Sequence, residues 1–357
     1  MPDSPNKPPY DPAFASDNVA GVSQEILEAL SVNASGPAAP YGDDTVSAEL
    51  TEVMRSHFGP RAEVLPVFNG TGANVISLQA ASPRWGAVIC TRSAHIHHDE
   101  GGAPEKVGGL KLLARPTDLL TPADITAELH HQGFVHAAQP TVVTLTQATE
   151  QGAVYPLEQV AAVAETAHAA GLAVHMDGSR LANAAVALDV DLGTAVRDVG
   201  VDVLSLGATK NGALGAEAVV VLEPDRVPGV DYIRKGSMQL ASKQRFLSAQ
   251  LLGMFGTDLW RRNAEAANRQ ARRLAAGLDA CPGVRTVREP QVNAVFVEVF
   301  DEVAAAIRSR YICHTWEHSP DGHQVLRLMC SFETTDEQID DLLDRARSAQ
   351  LTDIAEI

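Results

Sequence analysis

The chain has 357 residues, 45% apolar and 20% charged, long enough for a large core and about two domains of ~100–200 residues each. Lys and Arg number 28 against 45 Asp and Glu, a formal net charge of −17. That balance argues against a nucleic-acid or anionic-membrane partner, although a local basic cluster can still hold an anion. Four scattered cysteines, Cys90, Cys281, Cys313 and Cys330, form no C-x-x-C pair and read as buried thiols of a reducing compartment. The start, MPDSPNKPPYDPAF, lacks the apolar core of a signal peptide, and no apolar run is long enough to span a bilayer. A soluble cytoplasmic protein is the expectation.

In chain order, residues 1–15 are Pro-rich and read as a flexible extension. Ser16-Asp17-Asn18 opens a segment leading to the helical pattern VSQEILEAL, and residues 31–45 are turn-rich. The next helix, VSAELTEVMRSHFG, is stopped by Gly59-Pro60. From residue 62 strands and helices alternate: EVLPVF, then NGTGANVISLQAA; AVICT; KLLARP, then TPADITAELHHQG; TVVTLTQAT, then YPLEQVAAVAETAHAAG; LAVHMD; DLGTAVRDVG; VDVLSLGAT; EAVVVL. Such alternation predicts a mostly parallel sheet with helices on both faces. We place a large domain at 16–255. From about 257 an Arg/Ala-rich helix, LWRRNAEAANRQARRLAAGLDA, leads to strand NAVFVEVF, helix DEVAAAIRSR, strand VLRLMCSF and helix DEQIDDLLDRARSAQ. These give a smaller C-terminal α/β domain at 256–357.

Asp177 in LAVHMDG and Lys210 in VLSLGATKNG each follow a short apolar run. Polar groups just past strand carboxyl ends line the ligand crevice of an open α/β sheet. An acid and a lysine so placed suit pyridoxal phosphate, the lysine amine forming a Schiff base and the acid keeping the pyridine nitrogen protonated. The same pair also reads as a salt bridge at the sheet edge. Gly70, Thr71 and Gly72 of NGTGAN lie between strand and helix, where backbone amides and a helix N-terminus favour an anion such as phosphate; an ordinary turn is the alternative. AHIHHDEGG, residues 94–102, is dense in His and acid. On a strand His95 and His97 would share a face with His98 turned away, which disfavours a metal site. One imidazole stacked on a flat ring is the other use. Arg327 inside the apolar strand VLRLMC needs an anionic partner. Lys235, Lys243 and Arg245 form a basic cluster, either a solvated face or a phosphate clamp.

In combination and in order, SDN, YGDD, FNGTGAN, AH-x4-E-x-G, TQAT, HMDG-x-R, GATKNG and RLMCS resemble the low-specificity L-threonine aldolases. That family belongs with the β-eliminating lyases and the aspartate-aminotransferase fold type, and the resemblance runs from about Ser16 to about Phe332. It implies fold type I, with a mostly parallel seven-stranded sheet between helices and a small C-terminal α/β domain. It implies pyridoxal 5′-phosphate bound covalently to Lys210, with Asp177 on the pyridine nitrogen and His95 stacked on the ring. Glu100 matches the acid five residues after that histidine. Arg180 matches the arginine beside the phenolic oxygen and the substrate carboxylate, and Gly70, Thr71 and Gly72 the phosphate-binding backbone. Ser16 and Arg327 match carboxylate-binding groups, and His136 a second histidine near the substrate hydroxyl. Lys235 and Lys243 match basic residues that complete the phosphate site of a neighbouring subunit in a tetramer of tight dimers. The segment TQATEQG departs from the E-N-T-x-x-G pattern of many aldolases and leaves Gln147 and Glu150 without assigned roles.

The implied reaction is retro-aldol cleavage of threonine, allo-threonine or phenylserine to glycine and an aldehyde, in both directions. His95 and His136 are the candidate bases for the β-hydroxyl. The rivals are β-elimination, deamination or transamination on the same fold, and a non-catalytic binding protein.

Overall fold

The computed structural model describes residues 10–349, and the first nine residues of the expected extension lie outside that range. The chain divides into two compact units, one of residues 22–261 and one joining the residues up to Gly21 with those from Arg262.

The larger unit is built on seven strands: β1 (Glu63–Val67), β2 (Gly86–Thr91), β3 (Lys111–Arg115), β4 (Gln139–Thr146), β5 (Ala173–Gly178), β6 (Val203–Leu206) and β7 (Glu217–Val221). Their spatial order is β1-β7-β6-β5-β4-β2-β3, with only β7 running against its neighbours. Helices cover the faces, so the central strands read as continuous apolar runs rather than alternating ones; every residue of β2, β5, β6 and β7 is buried. The helix Gly70–Ala80 packs on β7, β6 and β5. Ala73, Ile76 and Ala80 join Leu65, Val67, Val203, Val219 and Val221 in one core cluster. That packing brings the polar residues of its inner stripe, Asn74 and Ser77, onto the sheet.

Two close approaches fix the crevice. Gly207 lies against the turn after β5, where a Cβ would stand 2.5 Å from the Ser179 carbonyl oxygen. Its N–H donates to Gly178 O at 3.1 Å. Only glycine permits this contact, and it ties the loop carrying Arg180 to the loop carrying Lys210.

The smaller unit holds an antiparallel sheet of order β10-β11-β9-β8, formed by β8 (Val284–Thr286), β9 (Ala294–Val299), β10 (His314–His318) and β11 (Gln324–Met329). Only β9 and β11 are evident from sequence. β8 has three residues, and β10, HTWEH, is an exposed edge strand without an apolar face. Helices Asp301–Arg308 and Asp336–Arg347, with most of Leu259–Leu278, complete this unit.

The sequence reading assigns 10–15 to a flexible extension and Ser16 to the large domain; the structure corrects both. Asp11 bridges to Tyr311, and Met329 N–H donates to Phe14 O at 2.9 Å. Phe14 is 0% exposed and meets the Tyr311 ring edge-on at 5.0 Å. One buried aromatic, with its backbone paired, thus anchors the segment to the smaller unit. Phe14→Ala is expected to destabilise the protein by about 3–5 kcal/mol, the usual loss for a buried phenylalanine, measured by denaturant unfolding.

Candidate active site

Five of the features expected to act lie at the carboxyl ends of the sheet's parallel strands. Asp177 is the last residue but one of β5 and Arg180 lies just past the strand; Lys210 follows β6; His95 follows β2; the Gly70–Gly72 turn follows β1. Asp177 is the centre. Its Oδ1 accepts from Ser179 N at 3.0 Å and its Oδ2 from Asn74 Nδ2 at 3.0 Å. Burial pushes the carboxyl up, but the Lys210 charge, the Ser179 N–H and the Asn74 amide outweigh it and hold the group below the usual carboxylate range. A buried ionised acid beside a lysine is what a protonated ring nitrogen requires as its partner.

Asn74 does more than cap Asp177. The same Nδ2 donates to Glu100 Oε1 at 2.8 Å, and that oxygen also meets His95 Nδ1 at 2.8 Å. A chain His95–Glu100–Asn74–Asp177 therefore crosses the crevice. The Glu100 hydrogen bond raises the His95 pKa against the opposing effect of burial, and Glu150, Asp177 and the Glu100 charge add to it. AHIHH, whose histidines would divide between two faces on a strand, forms one turn of helix, His95–His98. His97 Nδ1 is bonded to Arg92 O at 3.0 Å, and His98 is exposed.

Lys210 sits in the short 3₁₀ turn Thr209–Asn211. Glu217 of β7 supports this turn from beneath, accepting from Ala208 N at 3.0 Å and Thr209 N at 3.3 Å. Burial raises the Glu217 pKa against the pull of Thr209, Lys210 and Ala208. Asn211 ties the far side of the turn to Trp260 O at 2.9 Å.

At the anion turn, Asn69 caps the helix Gly70–Ala80 by accepting from Gly72 N at 2.7 Å. Gly72, expected as a phosphate donor, already has a partner, which leaves the Gly70 and Thr71 amides for that task. The Gly72 hydrogen is needed for another reason: a Cβ there would stand 2.6 Å from the Gln239 side chain. Gln239, whose Oε1 accepts from Phe68 N at 2.9 Å, is the member of the 234–246 segment that reaches this turn. Lys235 is exposed over the Tyr41 ring, 4.9 Å from its centroid, and Lys243 is exposed.

His136 is not brought to Asp177 within the chain. It precedes β4, an eight-residue strand about 25 Å long at ~3.3 Å per residue, whereas Asp177 faces that strand's other end. Ser16 and Arg327 belong to the smaller unit. There Ser16 Oγ caps a 3₁₀ turn by accepting from Asn18 N at 3.2 Å, and the Arg327 guanidinium lies over Trp316, 5.1 Å from the ring centroid.

Asn74, His175, Glu217 and Gln239 were not singled out from sequence. Asn74 stands one helical turn after Gly70, on the stripe that packs on the sheet, and that spacing was the available signal. His175, two residues before Asp177 on the same face of β5, is fully buried between Thr144 Oγ1 and Ser205 Oγ.

The residues fit pyridoxal phosphate: an ionised acid for the ring nitrogen, a lysine within its field, and two amides at a helix start for the phosphate. Asn74 Oδ1, Glu100 Oε2 and Glu150 Oε1 are buried with no hydrogen-bond partner among the described residues. Fold and site together define a fold type I protein. The β-eliminating lyase family profile matches residues 13–302, and the chain belongs to that family. It is 38% identical to the low specificity L-threonine aldolase of Pseudomonas aeruginosa over 333 residues, 92% of this chain and 95% of that one. It is 35% identical to that of a Pseudomonas species over the same shares. The solved threonine aldolase of Leishmania major superposes with a TM-score of 0.87 at 27% identity, covering 94% of this chain and 98% of its own.

Burial pushes the His175 pKa down to about 4 against the opposing Asp177 charge. The unfolded chain, with histidine near 6.5, binds more protons between these values. Stability is therefore complete above about pH 6.5 and falls as pH drops toward 4, by on the order of 2–3 kcal/mol. His95 acts in the opposite sense, its contribution being lost above about pH 6.5. Denaturant unfolding at pH 5 and 6.5 is expected to show a loss of stability at the lower pH that His175→Gln largely removes.

Proposed function

We propose that this chain is a pyridoxal-phosphate-dependent carbon–carbon lyase. Its reaction is the reversible cleavage of L-threonine and L-allo-threonine, and of similar β-hydroxy-α-amino acids such as phenylserine, to glycine and an aldehyde. The observation that carries this reading is Asp177, buried, ionised and held by two fixed donors within the field of Lys210. Likeness over nearly the whole length to proteins named threonine aldolases supports it.

When bound, the cofactor supplies an electron sink conjugated with the substrate α-carbon. Asp177 holds the proton at the ring nitrogen. The Gly70 and Thr71 amides, at the positive end of the helix Gly70–Ala80, receive the phosphate. Lys210 would hold the cofactor between turnovers. Arg180 binds the substrate carboxylate, and Arg327 and Ser16 are assigned the same role on the family likeness alone. His95 would stack on the ring; with Glu100 on Nδ1, its Nε2 would be the atom to move a proton at the β-hydroxyl.

His136 belongs at the substrate hydroxyl only if a second copy supplies it, and Lys235 and Lys243 are assigned to a neighbour's phosphate in the same way. A homotetramer of dimers with shared sites is thus part of the proposal. Exposed Phe134 and Val135 beside His136, and Tyr232 and Met238 around Lys235, are apolar surface suited to burial in such an assembly. The buried, unpaired cysteines fit a cytoplasmic location.

The test is spectroscopic and chemical. The purified protein should carry an absorbance band near the visible edge that borohydride removes, and should convert L-threonine to glycine and acetaldehyde. Lys210→Ala should lose the band and lower turnover by at least about 10³-fold. An oxoacid with ammonia in place of glycine would assign the chain to β-elimination.

A further inference from the structure

The loop after β4 is closed on itself. Gln147 brackets Tyr155 from both sides, Nε2 donating to its carbonyl at 3.0 Å and Oε1 accepting from its N–H at 2.9 Å. Inside this bracket Thr149 N–H donates to Ala153 O at 2.9 Å, and Thr149 Oγ1 accepts from Ala153 N at 3.0 Å. Tyr155, fully buried, accepts through its hydroxyl from Leu120 N at 2.8 Å. The loop therefore presents Glu150 on a fixed frame.

Glu150 points to Arg180. The two side chains are 8% and 7% exposed, and Glu150 Oε2 lies 3.8 Å from Arg180 Nη1. That is ion-pair range, longer than a hydrogen bond. The other oxygen, Glu150 Oε1, is buried with no hydrogen-bond partner among the described residues. A carboxylate buried with so little hydrogen bonding is costly to fold. Arg180, from the loop after β5, pairs with it, and the Glu150 charge also reaches His95 of the loop after β2, where Asp177 and Glu100 act as well. Those two acids are already engaged by Asn74.

We propose that Glu150 is a positioning residue for Arg180, an anion across the crevice that keeps the guanidinium turned toward the incoming substrate carboxylate and away from Asp177 and Glu100. The inference rests on the aldolase reading, in which Arg180 meets the substrate. A guanidinium is a planar donor fork on a flexible stem. Without Glu150, the remaining acids of the site compete for it with the substrate.

The experiment compares wild-type holoenzyme, Glu150→Gln, Arg180→Lys and the double variant. Glu150→Gln is expected to raise KM for L-threonine and the dissociation constant of glycine about tenfold, with kcat within about twofold. In the Arg180→Lys background the same change should move KM by less than about twofold, because the effect passes through Arg180. In the apoprotein, the His95 ring should titrate at lower pH in Glu150→Gln than in wild type, followed by NMR. Unchanged KM and glycine binding in a folded Glu150→Gln, or an equal effect in both backgrounds, overturns the proposal. If Glu150→Gln does not fold, Glu150→Asp takes its place with the same expected pattern in a smaller degree, and unchanged values again overturn it. Wild-type holoenzyme that makes no glycine from L-threonine refutes the aldolase reading instead. The apoprotein titration then stands alone, and an unmoved His95 overturns the placement of Glu150 in the site.

Discussion

The larger unit is arranged around the need to keep Asp177 ionised while burying it. A carboxylate removed from water without partners would take up a proton and lose its purpose. Here one backbone N–H, one side-chain amide and one lysine offset that penalty. Each comes from a different element: the turn after β5, the helix Gly70–Ala80 and the turn after β6. None of the three works unless those elements are held within a few tenths of an ångström. The apolar packing of Ala73, Ile76 and Ala80 on β6 and β7 is thus what places Asn74, and a charge in the crevice depends on a dry face beneath it.

The same dependence explains the glycines at these turns. Gly178 and Gly207 let two strand ends touch through their backbones, which no side chain would permit. Glu217 then receives the amides that the turn at Ala208 and Thr209 would otherwise leave buried and unpaired. Below Asp177, His175 bridges Thr144 of β4 to Ser205 of β6 across the middle of the sheet. A neutral ring there fills polar space without adding a second positive charge beside Lys210.

Much of this was legible in the sequence, for physical reasons. The strand-helix alternation follows from apolar runs broken by Gly and Asp clusters, and all seven large-sheet strands appear where those runs lie. Asp177, Lys210, Arg180 and the Gly70 turn sit at strand ends because polar residues follow apolar ones there. The exposed strand β10 and the three-residue β8 carry no apolar pattern to read. Phe14 looked like part of a Pro-rich tail because its partners, Tyr311 and Met329, lie about 300 residues away. The supporting residues were hidden for a similar reason: Asn74, Glu217 and His175 act through neighbours distant in sequence, and nothing local distinguishes an amide that bridges two acids from one that faces solvent. The helical turn in AHIHH could not be read because a single turn is too short for periodicity to declare itself.

The Asn74 bridge also settles the direction in which His95 is used. Its amide nitrogen has two hydrogens, and they are divided between Asp177 Oδ2 and Glu100 Oε1. At that oxygen Glu100 is therefore an acceptor only, and the hydrogen it shares with His95 belongs to Nδ1. The tautomer of the imidazole follows from an amide one residue beyond its reach. Nε2 is left as the working atom, an acceptor when the ring is neutral and a donor when it is charged. The Glu100 hydrogen bond raises the His95 pKa against burial, favouring the charged ring. The bridge that helps keep Asp177 ionised thus also orients the His95 ring through Glu100.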